Sequence, residues 1–303
     1  MSVPGEGVEV GFVSAGEVRF EVYRAGAPDS RRLALLLHGF PEHAISWRFQ
    51  MPLLAGLGYK VWAPNLRGYG ASTILPEVSD YHLDHLVDDV AALIDAADVD
   101  EVVLLAHDWG AMIAWAFAAR AKRPLSHLVI MNVPHPDVAF DQMKGNWRQR
   151  LRSWYVLFFQ LPWIPEWLLR RKKGAMVARG FRKGGQRPEN YPDEVLEVYR
   201  ENVMRPGGAS AMVHYYRALL RAGRPEPLPP IETPTLMVWG INDIALGREL
   251  TVGTGEKVED LTLRFVDASH WVQQDEPEVV NGMIEAFLAG GPVPDAPPPP
   301  GGF

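Results

Sequence analysis

The chain has 303 residues, 47% hydrophobic and 22% charged, which is ordinary for a globular protein with one large core and a smaller inserted unit. The formal net charge of -7 gives no reason to expect nucleic acid or an anionic membrane as a partner. The absence of cysteine excludes disulfides, thiolate metal sites and a cysteine nucleophile. Residues 1–16 lack the pattern of a signal peptide, and no segment approaches about 18 uninterrupted apolar residues, so we expect a soluble, cytoplasmic protein.

The first half of the chain alternates strand-like and helix-like segments. Residues 18–23 alternate apolar and polar side chains, as a half-exposed edge strand would, whereas residues 33–37 are continuously apolar. The same buried-strand signal recurs in residues 61–64, 102–105 and 127–133. Residues 83–97 show helical spacing, with Asp88 and Asp89 on the outer face. This order predicts an α/β fold whose sheet begins at an antiparallel edge, becomes parallel, and carries helices on both faces.

The alternation stops after residue 136. Residues 137–229 are rich in tryptophan, arginine and helix-like runs, which predicts a helical cap inserted into the sheet domain. The core would then comprise residues 1–136 and 230–289, because strand-like and helix-like segments resume at 235–240, 261–266 and 277–288. Residues 290–303 contain too few apolar side chains to pack, and we expect a disordered tail.

Asp108 lies between a strand-like segment, residues 102–105, and a helix-like one, residues 111–121. Small residues, Ala106 and Gly110, stand two positions to either side of it. This layout is typical of a nucleophile elbow, a sharp turn that lifts one side chain above the sheet. Because the apex residue is an aspartate and not a serine, the pattern indicates attack on an electrophilic carbon to form an ester.

Such an ester must be hydrolysed, and two further residues are placed for that step. Asp243 and His270 each follow a predicted strand, where open parallel sheets place their functional sites. We expect His270 to remove a proton from water while Asp243 holds the imidazole in the useful tautomer. The segment His38-Gly39-Phe40-Pro41 follows another buried strand, and the amides of Phe40 and Trp109 would form the oxyanion hole.

Together these motifs resemble the epoxide hydrolases of the α/β-hydrolase fold. The resemblance spans nearly the whole chain and rests on His38-Gly39-Phe40-Pro41, Arg67-Gly68-Tyr69-Gly70, His107-Asp108-Trp109-Gly110, Asp243 and His270-Trp271. Ala106 departs from the glycine that is common in the family, yet alanine is small enough for the elbow. Because epoxides damage cellular nucleophiles, detoxification or catabolism fits this resemblance.

The resemblance also implies two tyrosines in the cap that donate protons to the opening epoxide. The segments that match are Ser153-Trp154-Tyr155 and His214-Tyr215-Tyr216-Arg217, and the roles carry over to Tyr155 and Tyr216. The neighbours Trp154 and Tyr215 leave the register open, more so for the first segment. With Trp109, these tyrosines would contact the substrate, a small epoxide that leaves as a vicinal diol.

Three other functions are weighed against this one on the sequence. A haloalkane dehalogenase would use the same aspartate but needs indole or amide donors for a halide, and the tyrosine segments favour the epoxide. A fluoroacetate dehalogenase is expected to have arginine where this chain has Trp109. A ligand-binding protein on a hydrolase scaffold would usually have lost part of this machinery. The sequence does not distinguish a monomer from a homodimer.

The remaining histidines and the glycine-rich loop favour structural roles. We expect His38 and His107 to be neutral and bonded to nearby backbone, and the spacing of His43 and His135 does not indicate a metal. The loop from Arg67 to Gly70 lacks the lysine of a phosphate loop. No cofactor or metal is therefore predicted.

Overall fold

The computed structural model describes residues 7–223 and 226–297. Its centre is an eight-stranded sheet in the order β1-β2-β4-β3-β5-β6-β7-β8. The strands are β1 (Glu9–Ala15), β2 (Val18–Ala25), β3 (Arg32–Leu37), β4 (Lys60–Pro64), β5 (Glu101–His107), β6 (His127–Met131), β7 (Thr235–Gly240) and β8 (Leu261–Val266). β2 runs antiparallel to β1 and β4, and the other pairs are parallel. The predicted mostly parallel sheet is confirmed.

The helices divide into those beside the sheet and those inserted between β6 and β7. The first group is α1 (Gln50–Gly56), α2 (Leu83–Ala97), α3 (Trp109–Ala119), α10 (Val272–Asp275) and α11 (Pro277–Leu288). The second group is α4 (Pro136–Gly145), α5 (Trp147–Arg152), α6 (Trp154–Phe158), α7 (Ile164–Gly184), α8 (Asp193–Met204) and α9 (Gly208–Arg221). We call α4–α9 the helical insertion. Among the described residues, no helix has the length and apolarity needed to cross a membrane.

The sheet edge differs from the sequence prediction. Residues 18–23 were expected to form the edge strand, but β1 pairs along the whole of β2, from Glu9 opposite Arg24 to Ala15 opposite Val18. Phe20 and Val22 are consequently fully buried. The β1 sequence contains Gly11 and Ser14 and exposes Val10 and Phe12, so its own pattern gave a weak strand signal.

Asp89 is also placed differently from the prediction. Asp88 does lie at the surface, paired with Lys122, but Asp89 is buried and accepts two hydrogen bonds of 2.7 Å from the Arg67 guanidinium. A carboxylate is tolerated inside because this bidentate partner compensates its charge. Helical spacing could not reveal a partner contributed by the loop after β4.

Part of the C-terminal segment packs on the sheet, although the sequence predicted a disordered tail. Val293 is buried, and its carbonyl accepts a 2.7 Å hydrogen bond from Arg264 of β8. Arg264 also pairs with Asp295 at 3.2 Å. Hence Val293 and Pro294 are held at the edge of the sheet by Arg264, which bonds both of their carbonyls, and this contradicts the predicted disorder at that point. Residues 298–303 of the predicted tail lie outside the described residues.

The helical insertion is bonded to the loops that follow the core strands. Asn202 of α8 donates to the Glu42 carbonyl at 2.7 Å and accepts from the Gly70 amide at 2.8 Å. The Tyr215 hydroxyl of α9 donates to the Arg67 carbonyl at 2.8 Å. These bonds place α9 above the carboxyl ends of the parallel strands, the edge at which open α/β sheets bind ligands.

Candidate active site

Asp108 stands at a strained turn between β5 and α3. Its φ of 48° and ψ of -121° lie outside the regions that residues with a side chain favour. A Cβ on Gly110 would lie 2.2 Å from the Leu37 carbonyl oxygen, and one on Gly39 would lie 2.2 Å from the Cβ of Asp108. Glycine is therefore required at both positions for the turn to approach the end of β3.

The Asp108 carboxylate faces one backbone donor and one imidazole. Its Oδ1 accepts a 2.5 Å hydrogen bond from the Phe40 amide, and its Oδ2 lies 3.5 Å from Nε2 of His270. Burial raises the pKa of Asp108, but the hydrogen bond and charge of His270 outweigh this effect and lower it. The carboxylate is thus ionised at neutral pH, the form that a nucleophile requires.

His270 bridges two carboxylates. Nδ1 of its ring lies 2.6 Å from Oδ2 of Asp243, while Nε2 faces Asp108. Burial lowers the pKa of His270, but the charges of Asp243 and Asp108 outweigh it and hold that pKa well above its usual value. The imidazole is oriented by Asp243 with its second nitrogen directed at the group that would carry an ester.

Asp243 is fixed by four donors. Its Oδ1 accepts bonds of 2.8 Å from the amides of Ala245 and Leu246, and its Oδ2 accepts one of 2.9 Å from Asn132 beside that of His270. Burial raises the pKa of Asp243, but His270, Asn132 and the Leu246 amide together lower it. The carboxylate is therefore ionised and held in one orientation.

Tyr155 and Tyr216 of the helical insertion lie together above this group. Their ring centroids are 5.9 Å apart. Burial, followed by the negative charge of Asp108, raises the pKa of each hydroxyl, so both remain protonated at neutral pH. In contrast, Trp154 is 61% exposed, which favours Tyr155 as the residue of α6 that faces the site.

Tyr215 and Tyr216 have distinct environments although they are adjacent on α9. The Tyr215 hydroxyl donates a hydrogen bond to the Arg67 carbonyl. Tyr216 packs edge-on against Trp109 at 5.0 Å and Phe40 at 5.2 Å, two residues that flank Asp108 in the structure. Phe159 closes the other side of the Tyr216 ring at 4.7 Å. The space next to Asp108 is thus walled by aromatic rings.

His107 has one side-chain partner beside the backbone contact that the sequence predicted. Nε2 lies 2.8 Å from the His270 carbonyl oxygen, and Nδ1 lies 2.9 Å from the Glu42 carboxylate. Glu42 also accepts hydrogen bonds from the Gly39 amide and from Gln274. The sequence gave no sign of this second partner, which comes from the segment after β3.

His38 has the expected backbone partners. Nδ1 bonds the Gly39 carbonyl at 2.9 Å, and Nε2 accepts from the Leu66 amide at 3.1 Å. Burial lowers the pKa of His38 to about 4, so this ring is neutral at neutral pH. Within residues 7–223 and 226–297, no group of three or more histidine and acidic side chains is arranged to hold a metal ion.

The profile of a family described as the alpha/beta hydrolase fold matches residues 35–277. The chain is 36% identical over 285 residues to Epoxide hydrolase 2 of Caenorhabditis elegans, covering 91% of this chain and 79% of that protein. The chain belongs to the epoxide hydrolases of the α/β-hydrolase fold. It is also 35% identical to the human protein Epoxide hydrolase 4, with 94% and 77% of the two chains covered.

A solved structure supports membership of this family at the level of the fold. The epoxide hydrolase of Bacillus megaterium in complex with an inhibitor superposes with a TM-score of 0.83 at 26% identity, covering 92% of this chain and all of that one. The predicted fold class and the resemblance to epoxide hydrolases are thus confirmed, and the chain is a hydrolase by family.

The structure brings together Asp108, Asp243, His270, Tyr155 and Tyr216, all of which the sequence singled out. The Phe40 amide reaches the carboxylate, whereas the Trp109 amide makes no hydrogen bond to it among the described residues, so the second oxyanion donor stays a prediction. Asn132 and Glu42 were missed. Asn132 directly follows β6 with a φ of 51°, and a polar residue at that sheet edge was the available signal.

Proposed function

We propose that this member of the family hydrolyses epoxides to vicinal diols through a covalent ester on Asp108. The observation that carries the proposal is the arrangement of Asp108, which lies 3.5 Å from a histidine held by a second carboxylate and below two protonated tyrosines. A nucleophile, a base and acids for the leaving oxygen are therefore within reach of one small molecule.

The first step forms the ester. The ionised Asp108 carboxylate attacks one epoxide carbon from the face opposite the ring oxygen, and that carbon–oxygen bond breaks. The opening oxygen takes a proton from Tyr155 or Tyr216, since an alkoxide without a proton is a poor leaving group. Burial and the charge of Asp108 keep the tyrosine hydroxyls protonated until the epoxide is bound.

The second step hydrolyses the ester. His270 removes a proton from water, the hydroxide attacks the carbonyl carbon of Asp108, and the Phe40 amide stabilises the resulting oxyanion with the Trp109 amide as second donor. The bond from this carbon to the alkyl oxygen breaks, and that oxygen takes the proton from His270. The diol leaves, and the proton of the new carboxylic acid returns through solvent to the tyrosinate.

The helical insertion serves as the cap of this site. Residues 137–229 supply both tyrosines, whereas the sheet domain supplies the nucleophile and the base. Aromatic rings from both parts, Phe40, Trp109 and Phe159, surround Tyr216 and exclude water from the side of the leaving oxygen. These walls favour an apolar epoxide as substrate, bound without a cofactor.

A single turnover of styrene oxide in oxygen-18 water tests the covalent step. We expect the label on Asp108, with the first diol largely unlabelled, because the oxygen delivered to the substrate comes from the carboxylate. Asp108→Ala should lose turnover by more than about 10⁴-fold. Label in the first diol, or a normal rate for Asp108→Ala, would contradict the proposal.

A parallel assay with 1-bromobutane separates the alternative of a haloalkane dehalogenase. That reaction would use Asp108 and His270 equally well, but a bromide needs indole or amide donors, and here tyrosine hydroxyls stand beside Asp108. We expect diol from the epoxide and no bromide release. Bromide release with unreacted epoxide would favour the dehalogenase, and no turnover of either substrate would favour a ligand-binding protein.

A further inference from the structure

The helical insertion exposes an unusual concentration of large apolar side chains. Eight exposed tryptophan, leucine and isoleucine side chains lie in residues 147–167, as many large exposed apolar residues as the rest of the described chain provides. We call these eight the tryptophan surface. Its four tryptophans, Trp147, Trp154, Trp163 and Trp167, are 59% to 74% exposed. Exposed apolar side chains concentrated in one short segment indicate a binding face more than an ordinary solvated surface.

The same region carries the opposite charge to the rest of the chain. Residues 147–187 contain eleven arginines and lysines against one acidic residue, Glu166, for a net charge of +10, whereas the remainder carries -17. The whole-chain value of -7, from which the sequence predicted no anionic membrane partner, conceals this asymmetry. Three of these cations, Arg152, Arg182 and Arg187, pair with carboxylates outside the segment, so the charge presented at the surface is smaller than this count and comes from the other cations. Because salt screens charges beyond about 10 Å at 0.1 M ionic strength, the unpaired cations nearest to a docking surface contribute most to binding there.

Cations and indoles are adjacent in space as well as in sequence. The Arg171 guanidinium lies 5.1 Å from the centre of the Trp167 ring, and that of Arg148 lies 5.7 Å from the Trp147 ring. The run from Arg170 to Lys173 is exposed at an interruption of α7, and no carboxylate lies within ion-pair distance of it among the described residues. These charges are available to a partner.

We propose that the tryptophan surface and the run Arg170–Lys173 bind peripherally to an anionic lipid bilayer. Indole rings prefer the boundary between headgroups and acyl chains, and arginine and lysine attract anionic headgroups. A surface with exposed apolar side chains beside cations can therefore contact the acyl-chain boundary and the anionic headgroups at the same time. The inference concerns binding and does not depend on the reaction at Asp108.

Two other partners for the tryptophan surface, a second copy of the chain and a nucleic acid, fit these observations less well. A second copy of the chain docked through the same face would bring two segments of net charge +10 together, and like charges oppose such an isologous contact. A nucleic acid would satisfy the cations, but Leu151, Leu157 and Ile164 would find no apolar partner in its phosphate backbone.

Helix α6 contributes both to the tryptophan surface and to the candidate active site. On α6, Tyr155 faces Tyr216 while Trp154 and Leu157 remain exposed. One short helix therefore has the substrate on one side and the bilayer on the other, so an apolar epoxide dissolved in the lipid would lie near the helical insertion.

Flotation of the full chain with vesicles tests the proposal. We expect binding to vesicles of equal parts phosphatidylcholine and phosphatidylglycerol, release at 1 M salt, where screening acts within about 3 Å, and no binding to phosphatidylcholine alone. Tryptophan emission should shift to shorter wavelength on binding. Trp163→Ser/Trp167→Ser should abolish flotation, and Lys172→Gln/Lys173→Gln should weaken binding about thirtyfold.

The matched control is Val10→Ser/Phe12→Ser, which removes two exposed apolar side chains of the edge strand β1 and should bind as the wild type does. Circular dichroism checks that every variant is folded. Failure of the wild type to float with anionic vesicles overturns the proposal, as does binding unchanged in the tryptophan variant. A concentration-dependent dimer in analytical ultracentrifugation that Trp163→Ser/Trp167→Ser abolishes, without vesicle binding, would make the face a dimer interface instead. None of these readouts needs turnover, so their failure is distinct from failure of the epoxide reaction.

Discussion

Nδ1 of His107 lies 2.9 Å from the Glu42 carboxylate, and neither side chain is exposed to solvent. The pair joins the segment after β3, which carries the Phe40 amide, to the segment after β8, because the other nitrogen of His107 bonds the His270 carbonyl. Glu42 and His270, which are 228 residues apart in sequence, are thus held by one buried hydrogen-bonded pair.

Breaking this pair should cost stability as well as activity. Glu42→Gln removes the carboxylate that lies within hydrogen-bond distance of His107 and accepts from the Gly39 amide and Gln274, and we expect the free energy of unfolding in urea to fall by about 2 kcal/mol. His107→Gln should then cost less in this background than in the wild-type chain, because its partner is already absent. Equal costs of His107→Gln in the two backgrounds would show that the two side chains do not interact.

Replacing the base should trap the ester. His270→Gln leaves Asp108 as nucleophile but removes the proton acceptor for water, so we expect steady-state turnover to fall by about 10³-fold or more. Mass spectrometry of the intact protein should show an added mass equal to one styrene oxide. Asp108→Asn/His270→Gln is the control and should remain unmodified. An unmodified single variant would indicate direct attack of water on the epoxide.

The two adjacent tyrosines of α9 provide a matched pair of variants. Tyr216→Phe should slow ester formation by about 10²-fold, because a proton donor to the epoxide oxygen is lost, with little change in stability. Tyr215→Phe should lower the free energy of unfolding by about 1 kcal/mol, because its hydroxyl bonds the Arg67 carbonyl, and leave ester formation nearly unchanged. Stopped-flow measurement of tryptophan fluorescence and urea unfolding separate the effects. The reverse pattern would exchange the roles of the two residues.

Arg217 should act on catalysis through the position of Tyr155. It pairs with Glu166 at 2.6 Å and donates to the carbonyls of Phe159 and Leu161, just beyond the helix that carries Tyr155. Arg217→Met should lower stability by about 2 kcal/mol and slow ester formation more than ester hydrolysis. Arg221→Met, on the exposed end of α9, is the control. Equal slowing of both steps would argue for a general structural effect.

The pH dependence follows from the charges around His270. In the free enzyme Asp243 and Asp108 raise the pKa of His270 despite its burial. Once Asp108 is an ester, one of these charges is gone, so the pKa of His270 falls and the neutral ring, which can accept a proton from water, is favoured. Hydrolysis should therefore slow on acidification with a midpoint below the pKa that NMR gives for His270 in the free enzyme. If the midpoint equalled the pKa of the free enzyme, the charge of Asp108 would have no effect on the pKa of His270.

The raised pKa of His270 also determines how the stability of the protein changes with pH. Because folding raises the pKa of His270, its contribution to stability is full below the unfolded value of about 6.5 and is lost as the pH rises through the folded value. Thermal unfolding of wild type and His270→Gln across this range should show their difference shrinking at high pH. A difference that grows with pH would contradict the direction of the shift.

The order of strand-like segments and the residues that follow them determined the fold class and the positions of Asp108, Asp243 and His270. These predictions succeeded because buried parallel strands are continuously apolar and because parallel strands place their carboxyl ends at one edge of a sheet. The strand β1 and the ordered residues 290–297 escaped prediction, since each depends on one neighbour, β2 or Arg264, and not on its own pattern.

Only the tertiary structure decided which polar groups are partners. The contact of His107 with Glu42, the burial of Asp89 and the support of Asp243 by Asn132 all depend on atoms brought together from distant segments, and hydrogen bonds act over about 3 Å. The exposure of Trp154 and of the three other tryptophans likewise depends on how α5–α7 are oriented. Sequence periodicity determines which elements form, whereas the contacts between them determine each side chain's protonation, orientation and exposure.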